Sequence, residues 1–182
     1  MLYKIIRKSL SFFHFIILKF YYFKKIKTIG ISFFNFYSHV SISEKGSIKI
    51  NNNSYLDKKC EIKSEGGFIE IGTNFYMNSF SRIISKNKII IGNSVRIAQF
   101  VTILDHDHNY YLNEKGEMVS NGYVCDEIKI GNNVFIGDKC TILKGVSIGN
   151  NVKIASNSVV NKNIKSNSIV AGIPAKQVKV II

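Results

Sequence analysis

Residues 130–164 read IGNNVFIGDKCTILKGVSIGNNVKIASNSVVNKNI and repeat with a strict period of six. An aliphatic residue occupies every sixth position, namely Ile130, Ile136, Ile142, Ile148, Ile154 and Val160. The position after most of them is Gly, Asn or Ala, and Leu143 is the exception. This period fits neither an amphipathic helix, at about 3.6 residues, nor a simple half-buried strand, at about 2. It is typical of short strands broken by regular turns, in which Gly and Asn supply left-handed backbone conformations. Hexapeptide periods indicate a parallel β-helix.

The repeat also extends towards the N-terminus, in groups of three hexads. The aliphatic positions there are Ile50, Leu56, Ile62; Ile71, Met77, Ile83; and Ile91, Ile97, Ile103. Within each group the aliphatic residues are six positions apart. The gap from the last residue of one group to the first of the next is nine, then eight, then 27 positions. From Ile130 onward the spacing is six without interruption. Three hexads therefore make one turn of a triangular coil, and all insertions should stack along one edge. Chains built from such hexads resemble the left-handed parallel β-helix, an all-β fold, which is the fold class we expect.

Composition limits the protein class without choosing a partner. At 182 residues the chain is long enough for one domain with a substantial core. Its net charge of +13 favours anionic partners, which include nucleic acid, a membrane surface and a phosphorylated ligand. The three cysteines form no C-x-x-C pair, so we expect packed thiols in a reducing cytoplasm, with no disulfide framework and no thiolate zinc site.

We expect the first 38 residues to form a basic, aromatic, helical segment ahead of a β-helix domain over residues 39–182. Their apolar run from Phe12 to Leu18 is shorter than the ~20 residues of a membrane-spanning helix, and no cleavage site of a signal peptide follows. Two compatible interpretations stay open. The segment is an interfacial helix on anionic lipid, or it caps the open end of the solenoid. The first interpretation uses the cations Lys4, Arg7, Lys8, Lys19, Lys24 and Lys25.

One long excursion, residues 104–129, reads LDHDHNYYLNEKGEMVSNGYVCDEIK and interrupts the repeat. It holds two of the four histidines, His106 and His108. Insertions in repeat proteins map to loops and often to the binding face. Histidine is the side chain best able to move protons near neutral pH. The excursion is therefore the candidate site, and the plain alternative is a surface loop with incidental His and Asp.

Residues 48–180 resemble the hexapeptide-repeat acyltransferases, and most of all their sugar O-acetyltransferase branch. The resemblance rests on the tandem I-G-x-x-V-x-I-G hexads, the K-G-E-M-V-S segment (Lys115 to Ser120) and the ending I-V-A-G-I-P-A-K (Ile169 to Lys176). It implies a homotrimer of β-helical prisms with acetyl-CoA in the groove between neighbours. It also implies that no metal is needed.

The resemblance places the catalytic histidine of the family at His106, in T-I-L-D-H-D-H. It would act as general base on an acceptor hydroxyl, with His108 as the competing candidate and otherwise a substrate contact. Asp105, Asp107 or a backbone carbonyl would hold the other ring nitrogen. An asparagine that the family contributes from the adjacent subunit corresponds to Asn78, at the acceptor.

For the cosubstrate, the resemblance implies that Lys162 and Lys176 contact CoA phosphates, since lysine serves as a point-charge phosphate binder. Main-chain groups around Asp138 and Ser156 would hold the pantetheine arm. Phe135 replaces a tryptophan of relatives and would keep an aromatic wall beside the substrate.

The function implied is transfer of an acetyl group to a sugar hydroxyl of a bacterial surface glycan, which includes acidic sugars such as sialic acid. The expected location is the cytoplasm, with peripheral contact at the inner membrane face, and no nucleic acid is expected as a partner. Two alternatives share the fold. One is a metal-dependent enzyme like the γ-class carbonic anhydrases, which needs three histidines, and the other is a non-catalytic scaffold.

Overall fold

The computed structural model describes residues 2–181, and the side chains of residues 2–5 and of residue 7 lie outside that description. The cations Lys4 and Arg7 of the interfacial interpretation therefore fall outside it. Among the described residues, one helix, α1 (Leu2–Tyr21), precedes a series of short strands.

Three parallel sheets form the faces A, B and C of a triangular prism. Face A contains β1 (Ile26–Thr28), β4 (Ser47–Ile50), β7 (Phe68–Ile71), β10 (Lys88–Ile91), β15 (Ile128–Ile130) and β18 (Ser147–Ile148). Face B contains β2 (Phe33–Phe34), β5 (Tyr55–Leu56), β8 (Tyr76–Met77), β11 (Arg96–Ile97), β16 (Phe135–Ile136), β19 (Lys153–Ile154) and β21 (Ser168–Gly172), followed by the antiparallel β22 (Ala175–Val180). Face C contains β3 (His39–Ser43), β6 (Glu61–Glu65), β9 (Arg82–Ser85), β12 (Thr102–Leu104), β17 (Thr141–Ile142) and β20 (Val159–Val160). A separate hairpin joins β13 (His106–Leu112) to β14 (Met118–Cys125).

The strand register confirms the hexad analysis and the left-handed β-helix of about six turns. Ile71 pairs with Ile50 on one side and with Ile91 on the other, and Ile91 pairs with Ile130. These aliphatic side chains form inner columns that are at most 2% exposed. Burying each contributes about 1.5–3 kcal/mol relative to an exposed position, so the columns are the main source of stability.

The insertions lie at one edge of the prism, as the spacing predicts. The chain passes from face C to face A between β6 and β7, between β9 and β10, and through the hairpin between β12 and β15. We call this line of loops the C–A edge. The candidate site is therefore carried by a straight stack of coils.

The glycines after the aliphatic residues have a different role from the predicted one. Left-handed backbone occurs instead at the third residue after the aliphatic one, which is Asn at positions 133 and 151, with φ of 55° at both, and Lys at position 139, with φ of 57°. Gly131 is needed for close approach, since a Cβ there would lie 2.6 Å from Asn150 Oδ1 and 2.7 Å from the carbonyl carbon of Gly149. The prediction that asparagine supplies left-handed backbone holds at positions 133 and 151, which are not the predicted slot, and it was wrong for these glycines.

Both ends of the solenoid differ from the spacing analysis. Ile164 bridges to Ile148, so the last turn arrives at face A four residues after Val160 instead of six. At the other end, Ile26 pairs with Ile48 and Phe34 with Leu56. The first coil therefore starts at residue 26, inside the segment assigned to residues 1–38.

Helix α1 lies against this first coil. Phe15 is 2% exposed and its ring contacts the ring of Phe34, with centroids 5.2 Å apart. The His14 Nδ1 lies 2.9 Å from the carbonyl oxygen of Asn35. Within residues 2–181, no helix combines the length and the low polarity that crossing a bilayer requires.

Candidate active site

Asp105 is the buried anchor of the site. Its side chain is 0% exposed, and three donors from the preceding coil reach its carboxylate. Ser85 Oγ donates to Oδ2 at 2.6 Å, the Lys86 N–H donates to Oδ1 at 2.8 Å, and the Asn87 N–H donates to Oδ2 at 3.0 Å. Donors of this kind hold a buried carboxylate in one orientation. The C–A edge of one coil thus fixes the first residue of the next insertion.

The same carboxylate contacts His106. Asp105 Oδ1 lies 3.1 Å from His106 Nδ1, and the imidazole is 13% exposed. A carboxylate at this nitrogen favours the tautomer with the proton on Nδ1, which leaves Nε2 free to accept one. Asp107 makes a different contact, since its Oδ1 accepts the backbone N–H of His108 at 2.9 Å. Of the three groups considered for holding the ring, Asp105 is the one in contact.

Tyr123, on the returning strand of the hairpin, contacts both histidines. Its ring is perpendicular to that of His106, with centroids 5.5 Å apart, and lies 4.8 Å from that of His108. Lys86 Nζ stands 4.0 Å from the Tyr123 centroid and 2.9 Å from a carboxylate oxygen of Glu65. Tyr123, Lys86 and Ser85 were not predicted from the sequence. The position of Ser85 and Lys86 could have been predicted from the stacking of the insertions along one edge. Ser85 ends the strand and Lys86 begins the loop of one coil, and Asp105 begins the loop of the next.

Two acidic groups near the site, Cys125 and Glu65, have shifted pKa values. Desolvation raises the pKa of Cys125, which pairs with His106 across the hairpin, and the negative charge of Asp105 adds to the shift. Hydrogen bonds from Lys63 and then Lys86 lower the pKa of Glu65 to about 2. The thiol is therefore held protonated, whereas the Glu65 carboxylate is held charged.

Other predicted residues lie at the edge between faces B and C, which we call the B–C edge. Asn78 follows β8, Asp138 follows β16 and Ser156 follows β19. Asn78 Oδ1 accepts the Ser79 N–H at 2.8 Å, and Asp138 Oδ1 accepts the Gln99 N–H at 2.8 Å. Ser156 is exposed. These three residues share one edge of the prism.

The two predicted phosphate contacts separate. Lys162 lies between β20 and the Ile164 bridge, and so at the C–A edge with His106. Lys176 lies on β22 opposite Ala171, at the C-terminal end of face B. Both lysines are exposed. Phe135 lies on the outer side of face B, is 42% exposed, and pairs with Arg96 and Lys153.

Within one chain, the structure brings Asp105, His106 and His108 together and does not bring Asn78 to them. His39 lies on β3, three strands away from β12 along face C. In the described part of the chain, no three His, Cys, Asp or Glu side chains are grouped as a metal site would need. The candidate site consists of two half-sites on different edges of one prism.

Comparisons with known proteins agree with this architecture. The family model "Bacterial transferase hexapeptide (six repeats)" matches residues 127–162. Galactoside O-acetyltransferase of Escherichia coli K12 is 39% identical over 120 residues, which are 65% of this chain and 57% of that protein. WbbJ of the same organism, assigned to lipopolysaccharide biosynthesis as an O-acetyl transferase, is 31% identical over 147 residues, or 76% of this chain and 74% of that one. The chain belongs to the hexapeptide-repeat acyltransferase family.

A solved structure extends the comparison. AntD, an N-acyltransferase of Bacillus cereus in complex with dTDP and 3-hydroxybutyryl-CoA, superposes with a TM-score of 0.76 at 18% identity. The match covers 94% of this chain and 90% of AntD. At this identity the likeness shows a shared fold along nearly the whole chain. Family membership confirms the resemblance drawn from the hexads, although the chain spans only 57% of the galactoside enzyme.

Proposed function

We propose that this hexapeptide-repeat acyltransferase transfers the acetyl group of acetyl-CoA to a sugar hydroxyl of a bacterial surface glycan. The observation that carries the proposal is the contact between buried Asp105 and His106 at the start of the long hairpin. It supplies an oriented imidazole with one nitrogen free, which is the group that a hydroxyl acceptor needs.

His106 Nε2 accepts the proton of the acceptor hydroxyl while that oxygen attacks the thioester carbonyl. The C–S bond then breaks, and His106 returns the proton to the departing CoA thiolate. Asp105 keeps Nδ1 protonated and stabilises the imidazolium that forms between the two steps. A well-placed general base of this kind contributes about 10²–10⁴-fold in rate.

The separation of the two half-sites supports a trimer with the reaction at each interface. The C–A edge of one subunit supplies His106 and Lys162. The B–C edge of its neighbour supplies Asn78 to the acceptor and main-chain groups around Asp138 and Ser156 to the pantetheine arm. The neighbour's Lys176 joins Lys162 at the CoA phosphates, where two cations offset phosphate charge. In a cyclic assembly every interface repeats the same pair of edges.

The acceptor lies against the hairpin in this proposal. Tyr123 and His108 offer an aromatic and a polar contact on the exposed side of His106. Phe135 is the aromatic wall that the neighbouring face B adds. The relation to WbbJ and to the galactoside enzyme supports a sugar hydroxyl as the acceptor.

A turnover assay with acetyl-CoA against galactosides, nucleotide sugars and surface-glycan oligosaccharides tests the function. His106→Ala should lower kcat by about 10²–10⁴-fold, the contribution of a general base. His108→Ala should have a smaller effect, and His39→Ala, on the distant coil, should have none. An undiminished rate in His106→Ala contradicts the role of this residue. Absence of acetyl transfer to every acceptor hydroxyl contradicts the proposed function.

A further inference from the structure

Helix α1 has two apolar faces, and only one of them is used by the fold. The inner face holds Ser11 and Phe15, which are 1% and 2% exposed. The outer side carries a second row of apolar residues that are between 49% and 74% exposed. We call this row the outer stripe, and it consists of Ile6, Leu10, Phe13, Ile17 and Phe20. At roughly 100° per residue, the outer stripe spans about 80° of the helix surface and lies on the opposite side from Phe15.

Further exposed aromatic side chains continue the outer stripe. Phe36 and Tyr37 line one cleft together with Ile6 and Leu10, and they are 63% and 72% exposed. Tyr21 and Phe23, at the end of the helix and just after it, are 79% and 74% exposed. Contiguous apolar surface of this kind marks an interaction site.

The surroundings of the outer stripe are positively charged. Lys24, just after the helix, is exposed, and Lys58 lines the same cleft as Leu10, whereas Lys8 and Lys19 lie within about 40° of Phe15 on the opposite side of the helix. Residues 1–43 contain seven Lys or Arg and no Asp or Glu, so they carry +7 of the net +13. The first acidic residue of the chain is Glu44.

This charge decides between two occupants of the outer stripe. A second copy docking through α1 would bring another seven cations and no acidic residue from residues 1–43, so like charges would meet. An anionic lipid surface satisfies both features, because each Lys or Arg near it contributes about 1 kcal/mol. Phe and Ile side chains bury at the boundary between headgroups and acyl chains, and Tyr is favoured there.

We infer that α1 docks the protein on an anionic membrane, with the outer stripe in the headgroup boundary and Lys24 and Lys58 at lipid phosphates. The inner face stays on the first coil, so docking requires no unfolding of the helix. His106 begins the insertion of the fourth coil, three strand spacings from the first, which is about 14 Å along the axis. This inference does not depend on the proposed function, although a membrane-attached glycan would be within reach.

Co-sedimentation of the full chain with vesicles tests the inference. The protein should bind vesicles of phosphatidylcholine with phosphatidylglycerol at least tenfold more strongly than vesicles of phosphatidylcholine alone. The triple variant Leu10→Ser, Phe13→Ser, Ile17→Ser should lose at least tenfold of that binding. The matched control Ile173→Ser, Val178→Ser, Val180→Ser removes exposed apolar residues from the other end and should bind like the wild type.

A charge variant keeps the test independent of helix stability. Lys24→Glu with Lys58→Glu leaves the outer stripe intact and should also weaken binding to the anionic vesicles several-fold. Equal binding by the wild type and the triple variant overturns the inference, as does an absence of vesicle binding. A smaller sedimentation mass of the triple variant, without vesicle binding by the wild type, assigns the outer stripe to a second copy and overturns it too. Acetyl transfer to a soluble acceptor should be unchanged in all these variants.

Discussion

At the scale of residues, Asp105 does more than orient a histidine. Its carboxylate receives a hydroxyl and two backbone N–H groups from residues 85–87 and still contacts His106 Nδ1. The preceding coil therefore positions the base before any substrate arrives. Such preorganisation costs no reorganisation during the reaction.

Asp105→Asn should lower kcat by about 10²-fold or more, since the amide no longer holds the proton on Nδ1 by charge. The KM for acetyl-CoA should change little, because CoA contacts lie elsewhere. Asp107→Asn is the matched control, since its carboxylate reaches only the N–H of His108. Steady-state kinetics of both variants check this. Equal losses in the two variants would contradict the role given to Asp105.

Glu65, which is bonded to Lys86 beside the site, makes the stability of the fold depend on pH. Its pKa is lowered from the ordinary value of 4.5 to about 2 by Lys63 and Lys86, so the folded state favours the charged form. The stabilisation is present above pH 4.5 and is lost as the pH falls from there towards 2. The free energy of unfolding should therefore decline across this window, and Glu65→Gln should decline less. Urea denaturation at several pH values measures both, and parallel declines would exclude Glu65 as a contributor.

At the scale of elements, each turn of the coil has two requirements, a residue with positive φ and a residue small enough for close packing of the next coil. Asparagines such as Asn133 take up left-handed backbone, and glycines such as Gly131 allow one coil to lie close on the next. A six-residue period shows that turns recur. It does not show which residue adopts positive φ and which position must lack a Cβ for the close approach of the next coil. The two roles were therefore merged in the sequence analysis.

Gly131→Ala should destabilise the protein by about 1–3 kcal/mol, because its Cβ would overlap Gly149 and Asn150. Asn133→Gly should cost less than about 1 kcal/mol, since glycine adopts the same φ without strain. Chemical denaturation compares the two variants. A larger loss in Asn133→Gly would show that the turn, rather than the close approach, limits the coil.

The inner columns could be predicted from the sequence because Ile, Leu, Met and Val repeat there. The first coil could not, because Thr28 and Phe34 stand where aliphatic residues stand in later coils. Ile164 falls outside the period of six because the last turn is two residues shorter. Among the site residues, Tyr123 and Lys86 were not predicted. They are 37 positions apart in the sequence, and the fold of the hairpin brings their side chains into contact.

At the scale of the whole molecule, one prism presents an acid–base pair on the C–A edge and Asn78 on the B–C edge. In the proposed trimer, neighbouring subunits place these two edges against each other. The N-terminal end adds a third surface, the outer stripe of α1 with its cations. In the proposed trimer, three such ends point the same way, which would multiply a weak membrane contact.

Complementation between inactive variants tests the shared site most directly. His106→Ala impairs the C–A edge, and Asn78→Ala with Lys176→Ala impairs the B–C edge. Mixed trimers formed by co-expression should regain about a quarter of the wild-type acetyl transfer, because one interface in four pairs two intact edges when subunits mix at random. If the mixed protein stays as inactive as each variant alone, the site lies within one chain and the account is contradicted.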